Sequence, residues 1–263
     1  IGALIDERHV LLVLDNLEHL TGVGEYVNHL LLRCPNLKVL ATSREPLGLD
    51  HEYEIPVPPL STPHQDQALN LVTAQEYGAV ALFGARARLS APEFVFSIDN
   101  LSAIVQICVR LDGLPLAIEL AASNMGAMSP QELLAQLSNR FELLQSASST
   151  KDLRRQTLRA TIDWSYKLLQ ESERMLLCRL GVFPSEFSSD AAVNICCRSE
   201  NDDITTPGAE AGMLLESLRR KSLIHVAGAT GSAPRYTLLE SVRQYVQELL
   251  LVHGERELTQ ARH

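Results

Sequence analysis

The chain has 263 residues, 46% of them apolar, 21% charged and only 5% aromatic, which is globular composition with a mainly aliphatic core. At roughly 150 residues per domain the length suggests two domains or one large one. Lys and Arg number 23 against 32 Asp and Glu, a net charge of −9, which argues against a nucleic-acid binder working through bulk electrostatics. Residues 1–149 carry all of that excess, and residues 150–263, with 15 of each sign, are neutral. Neither half has the basic footprint of a free-standing DNA-binding domain. No apolar run is long enough to span a membrane, and no charged-then-apolar leader opens the chain, so a cytoplasmic location is expected. The five cysteines, Cys34, Cys108, Cys178, Cys196 and Cys197, include no C-x-x-C pair and are expected to be reduced, buried thiols. The chain starts at Ile1 without a methionine and is expected to be a segment of a longer protein.

In chain order, His9–Asp15 (HVLLVLD) predicts a strand buried on both faces of a parallel sheet. Glu25–Arg33 predicts a helix, Leu37–Thr42 (LKVLAT) a second buried strand, and Tyr53–Val57 a short third one stopped by Pro56, Pro58 and Pro59. Strand, helix and strand in quick succession imply a βαβ unit. After Leu60 the pattern turns helical: Ala79–Leu89, Leu101–Leu111 and Leu116–Ala122, with Asp112-Gly113 as a stop and Pro115 as a start. Ser129-Pro130-Gln131-Glu132 is a capping box opening Glu132–Leu137. Gln145–Thr150 is a polar linker. Beyond it, helices are expected at Leu158–Leu169, Glu171–Leu180, Asp190–Cys197 and Ala209–Lys221. Short strands follow at Leu223–Val226 and Arg235–Leu238, joined by a turn over 227–234, and Glu240–Leu251 closes as a helix. Three helices followed by a hairpin is a winged-helix pattern.

The sharpest local signal is Leu11-Leu12-Val13-Leu14-Asp15-Asn16-Leu17-Glu18. A carboxylate at the C-terminal tip of a parallel strand lies where α/β sheets bind ligands, and in phosphate-transferring ATPases it holds Mg²⁺, usually through water. A strand that merely ends at an Asp before a turn would read the same. The second strand adds weight, because it ends in Thr42-Ser43-Arg44, and a guanidinium beside Asp15 can sense a γ-phosphate. The eight histidines form no H-x-x-x-H pair, so no metal site of their own is expected. Ser43 and Ser165 lack a nucleophile elbow, so hydrolase chemistry is not expected either. Trp164 reads as a core anchor, and Arg219-Arg220-Lys221 as a basic cluster favoured by a helix C-terminus.

LVLDNLEHL, VLATSREPLG and ICVRLDGLPLAIELAA, in that order, resemble STAND-class, NB-ARC-like P-loop ATPases, most nearly those of bacterial LuxR- and SARP-type transcriptional regulators. LRATIDWSYKLL, RLGVFPSEFSSDAAVNIC, LLESLRRKSLIHV and RYTLLESVRQYVQELL extend the likeness over nearly the whole chain. The resemblance implies an α/β nucleotide-binding half-domain with a parallel sheet (1–59), an all-helical lid (60–146) and a winged helix (147–263), mostly α overall. It gives Asp15 the Walker B role, holding Mg²⁺ through water. Thr42, Ser43 and Arg44 become the sensor-1 segment, and Gly113, Leu114 and Pro115 the adenine-proximal turn of the lid. ATP or ADP with Mg²⁺ would be the cofactors of the full-length protein. Effector and sensor domains would lie outside this chain, and the nucleotide state would govern oligomerisation. The winged helix would regulate the core, leaving DNA to another domain.

Three departures matter. No G-x-x-x-x-G-K-[ST] loop occurs in the chain, so it is expected upstream of Ile1, and the chain alone is expected to bind ATP weakly and not to hydrolyse it. Asn16 replaces a second acid, so hydrolysis would call on Glu18. Leu238-Leu239-Glu240 stands where many such proteins have Met-His-Asp. The expected function is a nucleotide-dependent switch within a transcription-regulating protein. The alternatives are a winged-helix DNA-binding module and an inactive scaffold.

Overall fold

Helix α1 (Val23–Arg33) links two five-residue strands, β1 (Val10–Leu14) and β2 (Leu37–Ala41), which pair in parallel with Leu12 opposite Val39. The computed structural model describes Ile5 and residues 8–63, 70–141, 150–196, 208–227 and 234–253. Alternation sends Val10, Leu12, Leu37 and Val39 to one face, where they pack on Leu30 and Leu31 of α1. The expectation that both strands are buried on both faces is not met. Leu11 and Val13 are 61% and 60% exposed and Leu40 is 51% exposed, because α1 covers one side only of this pair. Nor does Tyr53–Val57 form a strand. Pro56, Pro58 and Pro59 have no N–H to donate, and Tyr53, Ile55 and Val57 are exposed. The turn before them is set by Glu52, whose carboxylate accepts from the N–H groups of Leu47, Gly48 and Leu49.

The chain divides into two compact units, Ile1–Pro58 and Pro59–His263. In the second unit, α2 (Leu71–Gln75) is capped by Asn70, α3 (Gly78–Ser90) follows, and α4 (Ile98–Arg110) is capped by Ser97. Helix α5 (Pro115–Ala122) has proline in its first turn, and α6 (Pro130–Phe141) opens with the Ser129–Glu132 box, Ser129 N–H donating to Glu132 at 2.8 Å. Phe83, Ile104, Leu111, Ile118, Leu137 and Trp164 centre the first core. The expected boundary between residues 146 and 147, with the linker up to Ser149, lies outside the described residues.

Helix α7 (Thr150–Lys167) begins well before the expected Leu158, since its first turns are polar and carry no apolar period. Then come α8 (Glu171–Leu180), β3 (Phe187–Ser188), α9 (Ser189–Cys196), α10 (Gly208–Arg220), β4 (His225–Val226), β5 (Arg235–Thr237) and α11 (Glu240–His253). The antiparallel sheet has β5 in the middle, between β3 and β4. Two residues long, β3 is too short to announce itself by alternation. The second core gathers Leu177, Leu180, Leu215, Leu218 and Val246 around Leu120. That leucine comes from α5, so one helix feeds both cores. Among the described residues no helix is long and apolar enough to cross a membrane.

Candidate functional site

Parallel pairing of Leu14 with Ala41 brings the next residues, Asp15 and Thr42, side by side at the strand tips. Thr42 N–H donates to the Leu14 carbonyl at 2.9 Å and Leu17 N–H to the Thr42 carbonyl at 3.1 Å, which carries the ladder past the strands. The Thr42 hydroxyl donates to Asp15 Oδ1 and accepts from the Asn16 N–H at 3.0 Å. Asn16 turns the chain with φ 63° and ψ 49°, a left-handed conformation that asparagine tolerates better than most residues. A 3-10 turn, Leu17–His19, follows, anchored by the buried Leu17.

That turn presents Glu18 to Arg44. Arg44 Nε lies 2.9 Å from Glu18 Oε1, with side chains 44% and 16% exposed. The Asn16 amide end is within 2.9 Å of the same oxygen, in reach of donating to it. Asp15, Thr42, Ser43 and Arg44 all face solvent. The Ser43 hydroxyl is used locally, accepting from the Glu45 N–H at 3.3 Å. The structure therefore brings Asp15, Glu18, Thr42 and Arg44 into one cluster. Neither the ion pair nor the αL turn at Asn16 was foreseen from sequence, and residue spacing carries no signal for either.

The donor set suits a cation shared with a phosphate. Mg²⁺ keeps most of its waters and takes one or two carboxylates plus substrate phosphates. Asp15, oriented by the Thr42 hydroxyl, offers that much. Among the described residues no group of three or more His, Cys, Asp or Glu could hold a metal unaided.

Gly113, Leu114 and Pro115 belong to the other unit. Asp112 and Gly113 have φ 52° and 65° and end α4. The Leu60 N–H donates to the Gly113 carbonyl at 3.0 Å, and a Cβ on Gly113 would lie 2.2 Å from the Leu60 carbonyl oxygen. Leu114 packs half-buried on the first core, and Pro115 is exposed at the head of α5. Chain reversal and close backbone approach account for Gly113, and helix initiation for Pro115.

Elsewhere, several described arginines are paired with carboxylates. Arg219 and Arg220 lie 2.7 and 3.8 Å from Glu216, Arg235 lies 3.1 Å from Glu186, and Arg243 pairs with Glu240. Arg86 of α3 donates to the Ser222 hydroxyl at 2.7 Å and lies 3.9 Å from Glu119 of α5. His225 sits near that pair, and burial pushes its pKa down, against the pull of Glu119 and with the help of Arg86. Cys34, Cys108 and Cys178 are buried thiols outside any disulfide, and burial pushes Cys108 up to about 12. A thiol so placed stays protonated and unreactive.

No known family profile matches the chain. Over 261 residues it is 38% identical to uncharacterized proteins of Mycobacterium tuberculosis and Mycobacterium bovis, covering 99% of this chain and 62% of theirs. Over 260 residues it is 40% identical to proteins of the same two species named "putative HTH-type transcriptional regulator", covering 98% of this chain and 27% of theirs. The chain thus spans less than two thirds of the length of these curated relatives.

Proposed function

We propose that this chain is a nucleotide-responsive regulatory module of a transcription-regulating protein. The observation that carries the reading is the cluster at the tips of β1 and β2: Asp15 held by Thr42, and Arg44 paired with Glu18 of the turn that follows Asp15. The names of the mycobacterial relatives support the regulatory half. In this reading Asp15 holds the hydration shell of a Mg²⁺ ion, whose chemistry is to offset phosphate charge. Thr42 fixes the carboxylate, and Arg44 donates to a terminal phosphate. Glu18 is the acid left to position water, since Asn16 cannot accept a proton. Ser43 shapes the loop, and Gly113, Leu114 and Pro115 enter only through the family resemblance. The domain reading follows the same resemblance: 1–59 as the nucleotide half-domain, 60–146 as the lid and 147–263 as the winged helix. The order α8, β3, α9, α10, β4, β5, with β5 central in its sheet, supports the last of these. Further domains, an oligomer governed by nucleotide and a cytoplasmic setting complete the proposal.

The test is an amide-resolved NMR titration of the chain with Mg-ATP to about 5 mM, suited to a site worth only about 4 kcal/mol or less. Shifts centred on Asp15, Thr42 and Arg44 that vanish in Asp15→Ala are expected. Their absence, or shifts centred elsewhere, would remove the nucleotide reading.

A second reading makes residues 147–263 a DNA-binding winged helix, and the HTH in the relatives' names favours it. The chain covers only 27% of those relatives, so the name does not single out these residues. Arg219, Arg220, Arg235 and Arg243 of α10, β5 and α11 each lie beside a carboxylate, which discounts their charge for phosphates.

A further inference from the structure

The Arg44–Glu18 pair says how the proposed phosphate site is governed, and the inference rests on that reading. An anion arriving at the strand tips does not find a bare guanidinium. It finds Arg44 Nε already donating to Glu18 Oε1 at 2.9 Å, with the carboxylate the better covered partner. Glu18 is supplied by the Leu17–His19 turn, and that turn is tied by the Leu17 N–H to the carbonyl of Thr42. Thr42 is the residue whose hydroxyl holds Asp15. The cation ligand, the phosphate donor and the competing carboxylate are therefore joined across two short hydrogen-bonded segments, 15–18 and 42–44. A guanidinium charge shared with a carboxylate is discounted for a phosphate, because the incoming anion must first displace the resident one.

We propose that Glu18 is an internal competitor for Arg44, and that a polyphosphate captured at the tips of β1 and β2 takes the guanidinium and releases Glu18 together with the turn that bears it. The exchange makes no covalent bond. One carboxylate leaves Arg44 and one phosphate oxygen replaces it, while the freed Glu18 becomes available to a water molecule. The pair thus keeps Glu18 occupied until phosphate is present, and binding and release of the turn become one event.

The experiment uses this chain and inorganic triphosphate, followed by the Arg44 Nε–Hε resonance and the amides of residues 15–19. In the wild-type chain, saturation should shift both sets together. Glu18→Gln should bind about fivefold more tightly, the scale of a partly exposed ion pair, and its 15–19 amides should already lie near their saturated positions. Arg44→Gln should lose the response. Glu45→Gln removes the same charge next to Arg44 without touching the pair and should change affinity less than twofold. Equal affinity in Glu18→Gln and wild type would overturn the competitor, as would an equal gain in Glu45→Gln, which would reduce the effect to net charge. Undiminished binding in Arg44→Gln would also overturn it. If neither wild type nor Glu18→Gln binds at Arg44, the nucleotide reading falls first and this inference with it. The amide spectrum of each unliganded variant checks that it is folded.

Discussion

Lys221 Nζ lies 2.6 Å from both carboxylate oxygens of Glu173, tying the end of α10 to the start of α8. Glu173 is only 4% exposed, and it also accepts from the Ser217 hydroxyl at 2.6 Å and the Gln170 N–H at 2.8 Å. Burial opposes its ionisation, but Lys221, Ser217 and Gln170 outweigh burial and hold the carboxyl below its ordinary range. Because its pKa falls on folding, the carboxylate stabilises the fold above the unfolded-state value and loses that contribution as pH falls through the folded one.

Lys221→Ala should therefore cost about 2–3 kcal/mol, somewhat less than a fully buried pair because the lysine is partly exposed. Urea unfolding at pH 7 reads this directly. Glu173→Gln should flatten the decline in stability of the wild-type chain below the ordinary carboxylate range.

Glycine exchanges should split in sign. Gly113→Ala forces a side chain into φ 65° and onto the Leu60 carbonyl, and should cost at least ~2 kcal/mol. Among the described residues, nothing lies within 4 Å of the place a methyl group on Gly212, inside α10, would take, so Gly212→Ala should stabilise by about 0.5–1 kcal/mol. Denaturant midpoints of the two variants test both signs.

His225 should make the fold sensitive to mild acid. Its Nε2 is buried without a protein partner among the described residues. Burial lowers its pKa, Glu119 of α5 opposes the shift and Arg86 of α3 adds to it. A base whose pKa falls on folding contributes stability that is complete above the ordinary histidine value and lost as pH drops below it. Unfolding free energies measured from pH 7.5 to 5 should show this slope in the wild-type chain and a flatter one in His225→Gln.

The chain should not bind duplex DNA usefully at physiological salt. Anisotropy at two salt concentrations should give at most the ~10⁻⁴ M affinity of weak non-specific binders. Glu216→Gln frees Arg219 and Arg220 and should raise both the affinity and its salt dependence. Submicromolar, sequence-selective binding by the wild-type chain would establish the DNA-binding reading instead.

What could be read from sequence was whatever is encoded locally. Asn70, Ser97 and Ser129 each carry a cap within three residues of the groups they bind, and of these the Ser129 box was plain. The α3, α4, α5 and α8 segments show their helices through apolar spacing or a proline at the start. Asp15 and Thr42 were expected side by side because each ends one of two adjacent strands. The Glu18–Arg44 pair depends on the left-handed turn at Asn16, and the Gly113–Leu60 contact joins residues far apart in the chain. Neither leaves a periodic trace. The strand expected at Tyr53–Val57 shows the opposite error: alternation was present, but three prolines denied it the hydrogen bonds a strand needs.

Five residues of α5 are fully enclosed, with Ala117, Ile118, Ala121 and Ala122 in the first core and Leu120 in the second. A helix shared in this way leaves no seam along which the larger unit could come apart in stages. Melting either core strips one flank of α5 and exposes the other, so the two should be lost in one cooperative transition. The amides of α5 should then exchange with solvent only through global opening, and rank among the slowest in the chain.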